Sequence, residues 1–362
     1  MKNPLIYFAL IFAIAFVHCD NEDNQQMDPT TDEMDDDMDD GNDDDTDDDD
    51  DTDDDDDTDD DDTDDDDDDD SVISDYFLTA SFVSMEVVSC KLEDGTTTQC
   101  YEIVFTGNGV DGEAGPYCPM NVNEVGGLSL YDGNTNPGLR NISSAYLNDL
   151  ETDGWNVFDD DGNVFVRLTS EKFAPNRDTS YCLQLPFDPD LTFTYTIPVT
   201  PVAASSDVVL DEFDRIGFTI EGTSIIAEVP SAVNGPSGTP SEQINFPSLD
   251  PCGGHPDNSG DYHLHFIPQL MDEVLEENNI TAVSCTLFDQ IATGAALVGY
   301  ALDGYPIYAY ADIPSDLDDC NGRTAVTEEY PEGIYHYVGT RDSPNVPPCR
   351  KGLAAETPVS IK

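Results

Sequence analysis

Asp250-Pro-Cys252-Gly-Gly254-His255, followed by Gly260-Asp261-Tyr262-His263-Leu264-His265, is the stretch that decides how this chain folds, because it recurs in part. The second copy reads Asp318-Asp-Cys320-Asn-Gly322-Arg323, then Gly333-Ile-Tyr335-His336-Tyr337. Four of the five histidines of the 362-residue chain lie in these two copies. The Tyr-His-Leu-His alternation reads as a strand, in which His263 and His265, two apart, point to one face. Imidazole is the commonest protein ligand for transition metals, so a ligand face is expected there. The spacing from cysteine to the strand histidine is unequal, 252 to 263 against 320 to 336, which favours two related loops feeding one place over two independent modules.

Working outward, β-branched and alternating runs predict strands at 77–88, 101–106, 164–168, 191–199, 224–229, 297–301 and 305–310. Asp161-Gly162, between two apolar runs, reads as a two-residue hairpin. Helix signals are confined to 268–279, with Pro268 in its first turn, and 143–151. Gly and Pro clusters at 234–240 and 343–348 mark exposed loops. Strand runs outnumber helices, so the expected class is mainly β: a β-sandwich or a β-rich α+β fold held by disulfides.

Upstream, an apolar run at 5–17 ends at Cys19, the layout of a secretory leader over residues 1–19. Two readings of Cys19 stay open: acylation as a lipoprotein that tethers the chain to an outer membrane, or ordinary cleavage that frees a secreted protein. Residues 20–70 hold 35 of the 79 acidic side chains, mostly aspartate broken by threonine, and read as a disordered stalk. Its aspartate run from 28 to 70 spans at most about 150 Å at roughly 3.3 to 3.6 Å per residue. Calcium binding by it is expected to be weak, since clustered carboxylates without fixed geometry select poorly. With a net charge of −67 and 12 basic residues, nucleic acid and anionic membrane surfaces are poor partners, and no nucleic acid is expected. Beyond the stalk the expected division is an N-terminal β region at 71–189, a histidine-bearing domain at 190–352 and a tail at 353–362.

Setting Cys19 aside leaves eight cysteines, an even set that in an exported chain predicts disulfides. Cys90 with Cys100, across a Glu93-Asp-Gly95 hairpin, and Cys320 with Cys349 are the expected pairs. No Cys-x-x-Cys spacing occurs, which disfavours a cysteine zinc site.

The segments Cys252-Gly-Gly-His255, Tyr262-His-Leu-His265, Gly299-Tyr-Ala-Leu-Asp-Gly-Tyr-Pro-Ile-Tyr308, Leu317-Asp-Asp-Cys-Asn-Gly322 and Gly333-Ile-Tyr-His-Tyr337 together resemble the YHYH-domain family of exported proteins. The likeness implies no defined reaction. Leu264 stands where that family usually has tyrosine, Val338 where its second signature usually ends in histidine, and Arg323 where a histidine is common. The expected ligand set is His263, His265 and His336 converging on zinc or copper, with His255 or the carboxylate of Asp261 as the fourth.

Three function classes follow. One is a metal- or small-ligand-binding surface module, and another is an enzyme built on the same centre. The third is a structural or adhesion module, taking a partner protein or a surface polysaccharide, whose Tyr-His motifs are hydrogen-bonded core. Asp303 and the Asp318-Asp319 pair are the expected groups for a sugar or calcium ion. A nucleophile elbow, a phosphate-binding Gly-Lys loop and a His-Glu-x-x-His helix are all absent from the sequence.

Overall fold

The computed structural model of the protein describes residues 73–109, 115, 117–168, 179–211, 213–229, 231–233 and 244–362. The expected leader, stalk and 234–240 loop lie outside the described residues. The fold is mainly β, with eight strands in one large sheet. In chain order these are β1 (Arg215–Thr219), β2 (Ser224–Ile226), β3 (Gly254–Pro256), β4 (Tyr262–Leu264), β5 (Ala295–Ala301), β6 (Pro306–Tyr310), β7 (Gly322–Ala325) and β8 (Ile334–Val338). Their order across the sheet is β3-β4-β2-β1-β5-β6-β8-β7.

That order is two equal halves joined at the antiparallel pair β1/β5, where Thr219 faces Gly299, Phe218 faces Tyr300 and Gly217 faces Ala301. Reversing the pair about Phe218 and Tyr300 exchanges the halves. On one side Ile220 N–H donates to the Val298 carbonyl at 2.8 Å, and on the other Leu302 N–H donates to the Ile216 carbonyl at 2.8 Å. A Cβ on Gly217 would sit 2.2 Å from the Tyr300 carbonyl oxygen, and one on Gly299 1.9 Å from that of Phe218. The two central strands therefore close only with hydrogen at both positions. Each half continues alike: a tight antiparallel hairpin (β1/β2; β5/β6), then a parallel pairing to the Tyr-His strand (β2/β4; β6/β8), then an antiparallel edge (β3; β7).

One face of this sheet packs on a four-stranded sheet in the order Phe82–Lys91, Thr97–Thr106, Thr192–Pro198 and Val359–Ile361. Ile103, Phe105, Phe193, Tyr195 and Ile197 meet Phe218, Tyr300, Leu302 and Tyr308 there, with the Tyr195 and Phe218 rings stacked at 4.1 Å. The opposite face, carrying Ile216, Ile225, Leu264, Ile307 and Tyr337, is covered by the helix Met271–Glu277 through Met271, Val274 and Leu275. Burying each such side chain stabilises by about 1.5 to 3 kcal/mol, so both faces of the large sheet contribute to its order. The expected sandwich is present.

The four-stranded sheet also crosses the expected boundaries at 190 and 353. Thr192–Pro198 lies between Thr97–Thr106 and Val359–Ile361, so the presumed tail is an edge strand. Those limits are what the family resemblance implied, and ladder pairing runs across them. A smaller region holds the helix Ser144–Thr152, capped by the Ser143 hydroxyl, against Tyr131, Val157 and Phe246. The hairpin near Asp161 turns one residue earlier than its sequence implies. Gly162 N–H donates to the Asp159 carbonyl and Asp159 N–H to that of Asn163, with Phe158 opposite Val164.

All eight cysteines among the described residues are paired: Cys90 with Cys100, Cys118 with Cys182, Cys252 with Cys285, and Cys320 with Cys349. The two expected bridges are both formed. No helix among the described residues is long and apolar enough to cross a membrane.

Candidate metal centre

Each motif copy builds the same local device. In the first, Asp250 Oδ1 accepts from the N–H groups of Cys252 (2.8 Å) and Gly254 (3.2 Å), while its Oδ2 accepts from the Tyr262 hydroxyl at 2.5 Å. In the second, Asp318 Oδ1 accepts from Cys320 (2.9 Å) and Gly322 (3.0 Å), and its Oδ2 from the Tyr335 hydroxyl at 3.1 Å. A Cβ on Gly254 would lie 2.3 Å from the Tyr262 hydroxyl, and one on Gly322 1.9 Å from that of Tyr335, so the tyrosine passes through space only glycine leaves. Sequence spacing shows the Cys-x-Gly turns; the structure adds that the aspartate before each one ties the turn to the tyrosine beside the histidine.

This device sets the histidines. His255 on β3 faces His263 on β4 directly across the ladder. His265, two residues beyond His263, falls on the same side, and its N–H donates to the Gly253 carbonyl at 3.0 Å. The three rings form a near-equilateral triangle, with centroids 4.7, 4.9 and 5.1 Å apart. One ring nitrogen from each lies within 4.8 Å of the others. His263 Nδ1 is 3.1 Å from the Asp261 carbonyl oxygen, and His265 Nδ1 is 2.6 Å from that of Ala227. A carbonyl only accepts, so both Nδ1 atoms carry the proton and both Nε2 atoms keep a lone pair. His255 Nε2 lies 3.1 Å from His265 Nε2 and, without a metal, donates to that lone pair.

Electrostatics keep the cluster neutral. Burial, helped by the neighbouring rings, holds His263 well below the ordinary imidazole range. Burial and His265 push His255 down to about 3, and burial takes His265 to about 4 against the pull of the Ala227 carbonyl. His263 and His265 are buried and His255 is half-buried, so entry is from the β3 side.

His336 does not join them. It stands on β8, five strand spacings from β4 in the same sheet, on the order of 24 Å at about 4.8 Å per spacing. Its Nδ1 is 3.1 Å from the Ile334 carbonyl, as in the first copy, but its Nε2 is 2.9 Å from the Tyr310 hydroxyl. The two loops therefore feed two related places and not one, because β4 and β8 pair with different hairpins on either side of the central pair. The Asp261 carboxylate is also elsewhere: it is bound by Arg215 at 2.6 Å, and only the Asp261 carbonyl serves the cluster. Burial raises that carboxyl to about 7 against the Arg215 guanidinium.

Asp303 accepts from the Tyr337 hydroxyl (2.6 Å) and Gly352 N–H (2.9 Å), and Asp318 is committed to its turn, so both act as internal ties. A second grouping, Asp207 with Cys320 and Cys349, offers no thiolate because the two sulfurs are bonded to each other. Sequence reasoning missed Asn108, which is fully buried. Its amide donates to the carbonyls of Asp188 and Gly260, both at 2.8 Å, and its Oδ1 accepts from Tyr262 N–H at 3.0 Å. Gly107-Asn108-Gly109 reads only as a turn; what it holds is a long-range contact.

Comparison with known proteins gives one family, described as YHYH protein, whose sequence model matches residues 194–313 and 309–352. No curated protein and no solved structure matches the chain.

Proposed function

Residues 194–352 belong to the YHYH family, and on that premise we propose that this chain binds one zinc or copper ion through His255, His263 and His265. The observation that carries the reading is the convergence of three neutral imidazoles, two of them oriented by backbone carbonyls. Metal-ligating histidines are held in this way, with Nδ1–H on a carbonyl and Nε2 turned to the ion. The donor set fits. Two nitrogens bound to zinc at about 2.0 to 2.1 Å in a tetrahedron are about 3.3 Å apart, and His255 and His265 already stand at 3.1 Å. Three neutral nitrogens leave a fourth position for water or a small ligand, and imidazole suits zinc and copper alike.

The chain is exported in this reading, either tethered through an acylated Cys19 or secreted, with the aspartate tract as spacer. The disulfides support an oxidising compartment. The packing alternative has support in the second copy, where His336 is satisfied by Tyr310 and Ile334.

Elemental analysis of the purified protein tests the proposal, followed by zinc and copper titration after chelation. One equivalent is expected in the native chain and in His336→Ala, and none in His263→Ala/His265→Ala. A folded double variant with undiminished metal content would end it.

A further inference from the structure

The two halves of the large sheet correspond residue by residue at the centre. Arg323 faces His336 across β7/β8 as His255 faces His263 across β3/β4. Val338 N–H donates to the Asn321 carbonyl at 2.8 Å as His265 N–H donates to that of Gly253. His336 keeps the Nδ1 contact with the carbonyl two residues before it, as His263 does. Of the three imidazole positions, the second half thus retains one and replaces the others by Arg323 and Val338.

Two features mark the replaced positions. The Tyr310 ring stacks on His336 at 5.9 Å, and its hydroxyl sits on the Nε2 lone pair, the one that would face an ion in the first half. Arg323 is a loose fit: its Nη2 reaches the exposed Asp316 at 3.1 Å, while its buried Nε makes no hydrogen bond.

We infer that the second half of the sheet is a closed counterpart of the first centre, with the Tyr310 hydroxyl in the metal's place on His336. On this inference, Arg323→His, Val338→His and Tyr310→Phe together open a second zinc site. The inference rests on the metal reading of the first half. It adds that the chain is a duplicated unit holding one ion where its architecture has room for two.

The test places the three substitutions in a His263→Ala/His265→Ala background, where the first centre is disabled. Zinc titration against a chromophoric chelator is expected to rise from no bound ion to one equivalent, and cobalt substitution to give the visible bands of a tetrahedral site. If Val338→His does not fold, the pair Arg323→His/Tyr310→Phe, at less crowded positions, is expected to bind zinc at least tenfold more tightly than the background. A cooperatively unfolding variant with the background's affinity overturns the inference. Zinc content of the unaltered chain reports on the first centre alone, so the two failures are told apart.

Discussion

Replacing Tyr262 by Phe removes one hydroxyl from a site where both partners are fully buried. Its donor bond to Asp250 is 2.5 Å long, and burial has pushed that carboxyl up to about 6 even with the Tyr262 hydroxyl and three backbone N–H groups holding it down. A hydrogen bond to a charged group contributes about 1.5 to 3 kcal/mol, so Tyr262→Phe is expected to cost about 2 to 3 kcal/mol at pH 7.5. The sign with pH follows from linkage. A folded-state carboxyl raised above its unfolded value of 3.8 contributes stability that is complete below about pH 4 and is lost as pH rises through about 6. Removing a donor raises the folded value further, so the gap between wild type and Tyr262→Phe widens above pH 6 and narrows at pH 5. Tyr335→Phe is the internal control, since Asp318 is 35% exposed and its bond to Tyr335 is 3.1 Å. It is expected to cost less than about 1 kcal/mol at either pH. Urea unfolding of chelator-treated protein at pH 5.0 and 7.5 reads both. Equal losses in the two variants, or a Tyr262→Phe gap that shrinks with rising pH, would refute the reasoning.

Zinc at one hundred times its Kd is expected to add about 2.7 kcal/mol to unfolding stability in wild type and His336→Ala and nothing in His263→Ala/His265→Ala, as thermal denaturation will show. Because the folded imidazoles stay neutral far below their ordinary range, apparent zinc affinity should hold between pH 7.5 and 6.0; a drop of more than tenfold by competition titration contradicts the neutral cluster. Gly299→Ala places a methyl against the Phe218 carbonyl and should destabilise by at least 2 to 3 kcal/mol in chemical unfolding, whereas alanine at the open, exposed Gly95 turn costs about 1 kcal/mol for its positive φ. Loop closure makes Cys118–Cys182, spanning 64 residues, worth about 4 kcal/mol and Cys90–Cys100, spanning 10, nearer 3, so serine pairs should rank that way in urea.

Local signals carried most of the β reading. Strand runs at 101–106, 191–199, 297–301 and 305–310 hold close to their expected positions, and the helix cap at Ser143 follows from residue type alone. The pairing of His263 with His265 was equally legible, since a two-residue alternation fixes the face. Adding His255 needed the β3/β4 register, and removing His336 needed the sheet order, neither of which any short window contains. The duplication is visible in sequence only at the Cys-x-Gly and Tyr-His motifs. Gly217-Phe-Thr and Gly299-Tyr-Ala share little beyond their glycine, yet they meet at the centre of the sheet because the constraint is on space and not on side-chain chemistry.

The strand Thr192–Pro198 is flanked on one side by residues 97–106 and on the other by the last residues of the chain. A polypeptide trimmed to the family-matched segment would begin inside that strand and bare both of its long sides, along with the Phe218 and Tyr300 rings the missing sheet shelters. Unpaired strand edges beside apolar rings recruit other chains. What is inherited as a recognisable segment is thus narrower than what must be made together to keep that strand paired and those rings covered.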